Sequence, residues 1–156
     1  MMSRRAVLGG AAVALAVPTR AEIATQLPDI RIKPDRELMV PVPGGRAYVR
    51  INGNLAGRRP PIILLHGGPG SAHWYFLNAT AMAGDRAVIL YDQLDSGRSD
   101  TPDDPANWRV ARFVEELDAI QAILSVRRWH VLGASWGGTV ALEYAARRPE
   151  IGRAHV

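Results

Sequence analysis

A Gly-x-Ser-x-Gly stretch, Gly133 to Gly137, constrains the fold of this chain more than any other feature. An apolar, β-rich run from Arg128 to Leu132 precedes it, and a helical run from Thr139 to Ala146, stopped by Pro149, follows it. The order is therefore strand, sharp turn, helix. A serine in such a turn has a strained backbone and an exposed hydroxyl, and the glycines remove side chains that would clash. We expect Ser135 to be a catalytic nucleophile; the alternative is a glycine-rich turn without chemistry.

A second glycine-rich stretch, His66 to Gly70, directly follows the continuous apolar run from Pro61 to Leu65. Such a run is typical of a strand buried on both faces of a parallel sheet. Glycines after it let backbone N–H groups approach a ligand closely, although a plain turn would also explain them. We expect the ring of His66 to hold this loop by hydrogen bonds. Ser71 to Met82 is predicted to form a helix that ends near Gly84.

A third turn-rich stretch, Asp92 to Asp100, follows the apolar run from Ala87 to Tyr91. Aspartates at turns usually accept hydrogen bonds from nearby backbone N–H groups, so Asp92 is interpreted as structural. Arg109 to Val126 has apolar residues at helical spacing, which predicts an amphipathic helix packed on a sheet. Its acidic residues, Glu116 among them, are expected to face water.

The alternation of strands and helices predicts an α/β fold with a mainly parallel sheet and helices on both faces. Leu38 to Val42 and Ala47 to Ile51 flank a Pro-Gly-Gly turn and predict a hairpin, in which Pro41 makes the first arm an edge strand. Ligands of such sheets bind at the carboxyl ends of the strands. The N–H groups of Gly67 and Gly68 should therefore lie within reach of the serine.

Composition limits the other functions that this chain could have. With 156 residues, 47% of them apolar, it can form one domain with a core. The formal charge of +4 arises mostly from arginines near the two ends, so we expect no nucleic-acid surface. The absence of cysteine excludes disulfides, thiolate metal sites and a cysteine nucleophile. Neither a metal nor a cofactor is expected.

Residues 1–21 have the pattern of an export signal. Arg4 and Arg5 precede an uncharged apolar run of about ten to twelve residues and small-residue cleavage sites, as in twin-arginine signals. The run is too short to span a bilayer. We expect a periplasmic or secreted protein without stable membrane insertion after signal removal; the alternative is a wrongly assigned start codon. Residues 22–37, with two prolines, are predicted to be a linker.

Three stretches together carry a family resemblance: His66 to Gly70, Asp92 to Ser99, and Gly133 to Gly138. They resemble the proline iminopeptidase group of α/β-hydrolase serine peptidases, over roughly residues 38 to 149. The resemblance implies that residues 38–150 are the N-terminal part of an α/β-hydrolase domain acting on a small peptide or an amino-acid amide or ester. One departure is Asp95, where the family usually has glycine; if this position needs a positive φ, aspartate tolerates it better than most residues.

The resemblance also implies roles for individual residues. Ser135 would be the nucleophile, and the N–H of Trp136 together with that of Gly67 or Gly68 would form the oxyanion hole. Two other functions are also compatible with the sequence: an esterase or lipase on the same fold, and a hydrolase-like binding protein in which Ser135 is not catalytic.

The base expected of such an enzyme is missing from the sequence. In this fold a histidine and a carboxylate follow the serine, yet only His155 does, and no aspartate. One possible set of codons for the residues from Glu150 to the end, followed by a stop codon, matches the beginning of a common sequencing adapter. We therefore predict that residues 151–156 are a read-through artefact, that the gene continues, and that the chain as written has negligible turnover.

Overall fold

The computed structural model describes residues 32–149 and the backbone of 152–155. The predicted export signal and most of the predicted linker lie outside these residues. Six strands are present in the part described: β1 (Arg36–Val42), β2 (Gly45–Asn52), β3 (Ile62–Leu65), β4 (Val88–Tyr91), β5 (Trp129–Gly133) and β6 (Gly152–His155). The α-helices there are α1 (Val110–Ile123) and α2 (Trp136–Arg147), and two 3₁₀ helices span His73–Gly84 and Pro105–Asn107.

The six strands form one sheet in the order β1-β2-β4-β3-β5-β6. Strands β4, β3, β5 and β6 are parallel, whereas β2 is antiparallel to both β1 and β4. The predicted hairpin and the mainly parallel sheet are therefore confirmed. Strand β1, which contains Pro41, has only β2 beside it in the described sheet, as the proline predicts.

Both faces of the sheet are covered, and alternate residues of each central strand point to different cores. Ile63 and Leu65 of β3 belong to a large core that also contains Phe113 and Leu117 of α1 and Tyr144 of α2. On the other face, Ile62 and Leu64 pack with residues of the His73–Gly84 helix, namely Phe76, Leu77 and Ala79. The helices on both faces, which the alternation of strands and helices predicts, are confirmed, and they cover the continuous apolar runs of the central strands.

The helix that follows β3 is a 3₁₀ helix and not an α-helix. The segment expected to run from Ser71 to Met82 is a 3₁₀ helix, His73–Gly84, in which only Thr80 is buried. The Thr80 hydroxyl donates to the Leu77 carbonyl at 2.6 Å, within the turn. Phe76, Leu77 and Ala79 are partly buried where they pack on the sheet, so the helix lies where it is predicted but has the tighter 3₁₀ turn.

The expectation that the acidic residues of α1 face water is wrong for Glu116. Its side chain is fully buried, and Oε1 accepts hydrogen bonds from Nη1 of Arg112 and, at 3.0 Å, from the N–H of Leu94. Arg112 lies one turn earlier on the same helix face and brings a compensating charge into the core. Burial still raises the pKa of Glu116, although the guanidinium opposes this. Through the bond to Leu94, the Glu116 carboxylate fixes the backbone of the loop after β4.

No helix within the described residues has both the length and the apolar character needed to cross a membrane.

Candidate active site

Ser135 lies at the junction of β5 and α2, and its backbone is in an unusual conformation. Its φ and ψ are 54° and −119°, and its side chain is exposed. A positive φ in a residue with a side chain is uncommon and costs on the order of 1–3 kcal/mol. It persists only where the surrounding packing determines it. Here that packing comes from the end of β3 and from the first turn of α2.

The two flanking glycines allow this packing. A methyl group at Gly133 would collide with the backbone of Gly137, and one at Gly137 would collide with the carbonyl group of Leu65. The first turn of α2 therefore rests on the ends of both β5 and β3. The Gly-x-Ser-x-Gly pattern is needed sterically at both glycines, as the sequence indicates.

The loop after β3 meets the serine at Gly67. A methyl group there would lie 3.1 Å from Cβ of Ser135. The N–H of Gly67 already donates a hydrogen bond to the hydroxyl of Tyr75, a residue that sequence reasoning did not single out. The N–H groups of Gly68 and Trp136 have no hydrogen-bond partner among the residues that the structure describes. Of the two glycines, Gly68 is the exposed one, with φ of 116°.

His66 is buried at the base of this loop, and both ring nitrogens are used. Nδ1 donates to the Gly67 carbonyl at 2.9 Å, and Nε2 accepts from the N–H of Gln93 at 2.9 Å. Burial lowers the pKa of His66, although the Gly67 carbonyl and Asp92 oppose this. Its bonds are thus those of a neutral ring that holds two loops together.

Gln93 connects the two glycine-rich stretches; it lies in the Asp92–Ser99 motif, but the sequence indicates no role for it. Its amide nitrogen donates to the His66 carbonyl at 2.9 Å, and its amide oxygen accepts from the indole N–H of Trp136 at 3.1 Å. The side chain therefore fixes the spacing between the loop after β3 and the start of α2. Only the three-dimensional arrangement reveals this contact.

Asp92 is fully buried directly after β4 and accepts three hydrogen bonds, from the loop after β4 and from the first residue of the His73–Gly84 helix. They come from the N–H of Arg98 at 2.9 Å, the N–H of His73 at 2.6 Å and Nδ1 of His73 at 2.9 Å. Burial disfavours the charged carboxylate, but these hydrogen bonds outweigh it and lower the pKa of Asp92. These contacts join the start of the His73–Gly84 helix to the loop after β4.

Within the residues described, no side chain is placed to act as a base for the Ser135 hydroxyl. None of the described side chains forms a hydrogen bond with the Ser135 hydroxyl. In the same residues there is no cluster of three or more histidine, aspartate or glutamate side chains that could hold a metal ion. The geometry therefore provides an exposed hydroxyl and two unpartnered N–H groups near the start of a helix, whose dipole favours negative charge.

The sequence profile that describes the alpha/beta hydrolase fold matches residues 60–154. A curated relative, the proline iminopeptidase of Heyndrickxia coagulans, is 46% identical over 114 residues, which are 72% of this chain and 39% of the relative. The chain thus spans about two fifths of the length of the curated relatives it matches.

Two solved structures are also similar. VinJ has 37% identity and a TM-score of 0.71, over 78% of this chain and 42% of that protein. Proline iminopeptidase of Mycobacterium smegmatis has 39% identity and a TM-score of 0.68, over 75% of this chain and 41% of that protein. The resemblance drawn from the three motifs is confirmed by these relatives.

Proposed function

The chain belongs to the alpha/beta hydrolase fold family, and on that premise we propose that the full-length protein is a serine hydrolase that releases an N-terminal amino acid, proline best, from short peptides or amino-acid amides. The observation that carries this proposal is the exposed Ser135 at a φ of 54°, beside the N–H groups of Gly68 and Trp136. The names of the relatives, proline iminopeptidases, support the substrate class.

The first chemical step is attack of the Ser135 hydroxyl oxygen on the carbonyl carbon of the substrate. A base takes the hydroxyl proton, the C–O bond forms, and the carbonyl oxygen becomes an oxyanion. The N–H groups of Gly68 and Trp136 are the proposed donors to that oxygen. The geometry favours Gly68 over Gly67, because the N–H of Gly67 is bonded to Tyr75. Each such donor is worth about 3–4 kcal/mol of barrier.

The intermediate collapses when the amine leaves with a proton, and water then releases the acyl group from the serine. We propose that a histidine base and an orienting carboxylate beyond residue 150 of the full-length protein move these protons. His66 and Asp92 are assigned to positioning, because hydrogen bonds to loop backbone engage both ring nitrogens of His66 and both carboxylate oxygens of Asp92. No metal or cofactor enters the proposed reaction.

The test compares three substrates with the full-length protein and with Ser135→Ala. They are proline arylamide, its N-acetylated form and a short-chain nitrophenyl ester. The proposal predicts that the free proline arylamide is cleaved, that the blocked form is spared, and that Ser135→Ala loses both amide and ester hydrolysis. Cleavage of the ester alone would establish an esterase instead. Full activity of Ser135→Ala would show that the serine has been misassigned.

A fluorophosphonate probe separates these enzymes from a ligand-binding protein in which the serine is idle. The probe labels only a serine whose proton is removed by a base. We expect labelling of the full-length protein and none of Ser135→Ala. A folded full-length protein that resists labelling would contradict the proposal.

A further inference from the structure

The hydroxyl of Tyr75 lies beside Ser135, where the loop after β3 meets the start of α2. A methyl group on Gly67 would be 3.1 Å from Cβ of Ser135 and 3.5 Å from the Tyr75 hydroxyl oxygen. Both side chains therefore border the same small space. The carbonyl oxygen of an acyl group on Ser135 is three bonds beyond Cβ, which is far enough to bring it across this space to the Tyr75 hydroxyl.

One hydrogen bond holds the Tyr75 hydroxyl oxygen and leaves its proton available. The oxygen accepts from the N–H of Gly67. A tyrosine hydroxyl also carries one donor proton, and in the described part of the chain no group accepts it. Hydrogen bonds in a chain polarise one another, so the bond from Gly67 makes the Tyr75 O–H a stronger donor. Tyr75 therefore presents an unused donor next to the candidate nucleophile.

The backbone and the ring of Tyr75 are also held in place. His73, two residues earlier, donates to the buried carboxylate of Asp92 from its N–H at 2.6 Å and from Nδ1 at 2.9 Å. The Tyr75 ring contacts that of Phe76, with the ring centroids 4.4 Å apart. A donor that is fixed before the reaction costs no reorganisation when charge develops, and this property makes such donors effective in catalysis.

We propose that the Tyr75 O–H donates a hydrogen bond to the oxyanion formed on Ser135, together with the N–H groups of Gly68 and Trp136. This inference rests on the proposed function, because it requires attack by the serine oxygen. No covalent bond to Tyr75 forms, and its proton stays on the phenol. The hydrogen bond strengthens as negative charge develops on the substrate carbonyl oxygen, so Tyr75 lowers the barrier more than it improves substrate binding.

The competing explanation is that Tyr75 only accepts the bond from Gly67 and so holds the loop. The two explanations differ in the expected effect of phenol acidity. In 3-fluorotyrosine the hydroxyl is more acidic than that of tyrosine, whose pKa is about 10, so it is a stronger donor and a weaker acceptor. With a purely structural Tyr75, fluorination would lower stability and reaction rate together. With a donor to the oxyanion, the rate would be kept or raised while stability falls.

The experiment measures the rate of Ser135 acylation in single turnovers of the full-length protein, with proline arylamide and with a nitrophenyl ester. Tyr75→Phe removes the hydroxyl and keeps the ring, so we expect the rate to fall about 10- to 1000-fold with little change in substrate affinity. Tyr144→Phe is the matched control and should leave the rate unchanged, since its hydroxyl bonds to Gln121 at 3.0 Å, between α2 and α1. Replacing Tyr75 by 3-fluorotyrosine, at a pH where its hydroxyl is protonated, should give at least the native rate.

An unchanged rate in Tyr75→Phe would overturn the inference, as would a fluorinated protein whose rate falls with its free energy of unfolding. If Tyr75→Phe does not fold, the fluorinated protein, which keeps every hydrogen-bonding atom, decides alone. The two substrates separate this inference from the proposed function. Hydrolysis of the ester alone, slowed by Tyr75→Phe, would refute the aminopeptidase and keep the tyrosine donor. Hydrolysis of proline arylamide that Tyr75→Phe leaves unchanged would do the reverse, and absence of any acylation would refute both.

Discussion

Gly137 of α2 lies against the carbonyl group of Leu65 at the end of β3, so closely that a methyl group at residue 137 would overlap it. The contact seats the helix on the sheet and determines where Ser135 is held. Gly137→Ala should therefore lower the free energy of unfolding by about 2–3 kcal/mol or more, because neither backbone can move without disturbing β3. Chemical denaturation of the full-length protein measures this.

Gly84→Ala is the control for that substitution. A methyl group at Gly84 would meet nothing within 4 Å. Its effect should stay within about 0.5 kcal/mol, as for ordinary surface changes. Similar losses at both positions would mean that glycine is not required sterically at residue 137.

The buried pair of Arg112 and Glu116 gives a second prediction. Their side chains are 2% and 0% exposed, so Arg112→Met would leave a buried carboxylate without its cation, at a cost of about 3–5 kcal/mol. Arg147→Met is the matched control, because Arg147 and Glu143 have the same spacing on α2 but are 46% and 37% exposed. That change should cost less than about 1 kcal/mol. Thermal or urea unfolding of both variants would reveal a burial effect, and equal costs would exclude one.

Asp92 predicts a specific pH dependence of stability. Its pKa in the folded protein is lowered, so its contribution is fully present above the pKa of an unfolded aspartate and is lost as the pH falls through the folded value. The stability difference between the native protein and Asp92→Asn should thus be constant at neutral pH and shrink below about pH 4. Because both proteins contain Glu116, its opposite dependence cancels in this comparison.

The measurement is urea unfolding at a series of pH values. Asp103→Asn, a change at an exposed aspartate of the neighbouring loop, serves as the reference. A difference between native protein and Asp92→Asn that does not change down to pH 2 would contradict the assignment of a stabilised carboxylate.

The chain as written should show no detectable turnover of proline arylamide, even where it is soluble. A serine whose hydroxyl has no base cannot readily lose its proton, and no described side chain is bonded to the Ser135 hydroxyl. Assays of the 156-residue chain beside the full-length protein, with fluorophosphonate labelling of both, test this. Labelling of the 156-residue chain would show that it already contains a working base.

Export is the remaining prediction, and it concerns only the sequence. Changing both Arg4 and Arg5 to Lys should retain a fused reporter in the cytoplasm, because twin-arginine signals are recognised through the paired arginines. Cell fractionation of the native and changed fusions provides the measurement. Export that survives the double change would argue against this type of signal.

Much of the fold can be predicted from the sequence because the patterns that indicate it are local. The central strands are covered on both faces, so Ile62–Leu65 and Val88–Tyr91 are continuous apolar runs in the sequence. The turn at Ser135 was equally clear, because steric contacts require its glycines. At Asp95, φ is 62°, which explains why a residue that tolerates the left-handed region stands there.

What was missed depends on contacts between segments distant in sequence. Glu116 looks like a surface residue of an amphipathic helix until Arg112 and the N–H of Leu94 are seen around it. Gln93 and Tyr75 likewise gain their importance from the loop they touch, 27 and 8 residues away. The spacing of four residues between Arg112 and Glu116 is a helical one, but the burial of this pair and the contacts with Leu94, His66 and Gly67 arise only when the sheet assembles.

The strand order has a consequence for synthesis on the ribosome. Strand β2 pairs with β4 and not with β3, so the N-terminal hairpin has no place in the sheet until the chain has been made as far as Tyr91. Strand β5 then adds to the opposite edge of β3. The sheet therefore grows outward from β3 in two directions, and the hairpin must wait with its apolar face unpaired while β4 emerges. Until β4 is complete, the edge of β2 that pairs with it has no partner, and such an unpaired edge is a hazard for a nascent chain.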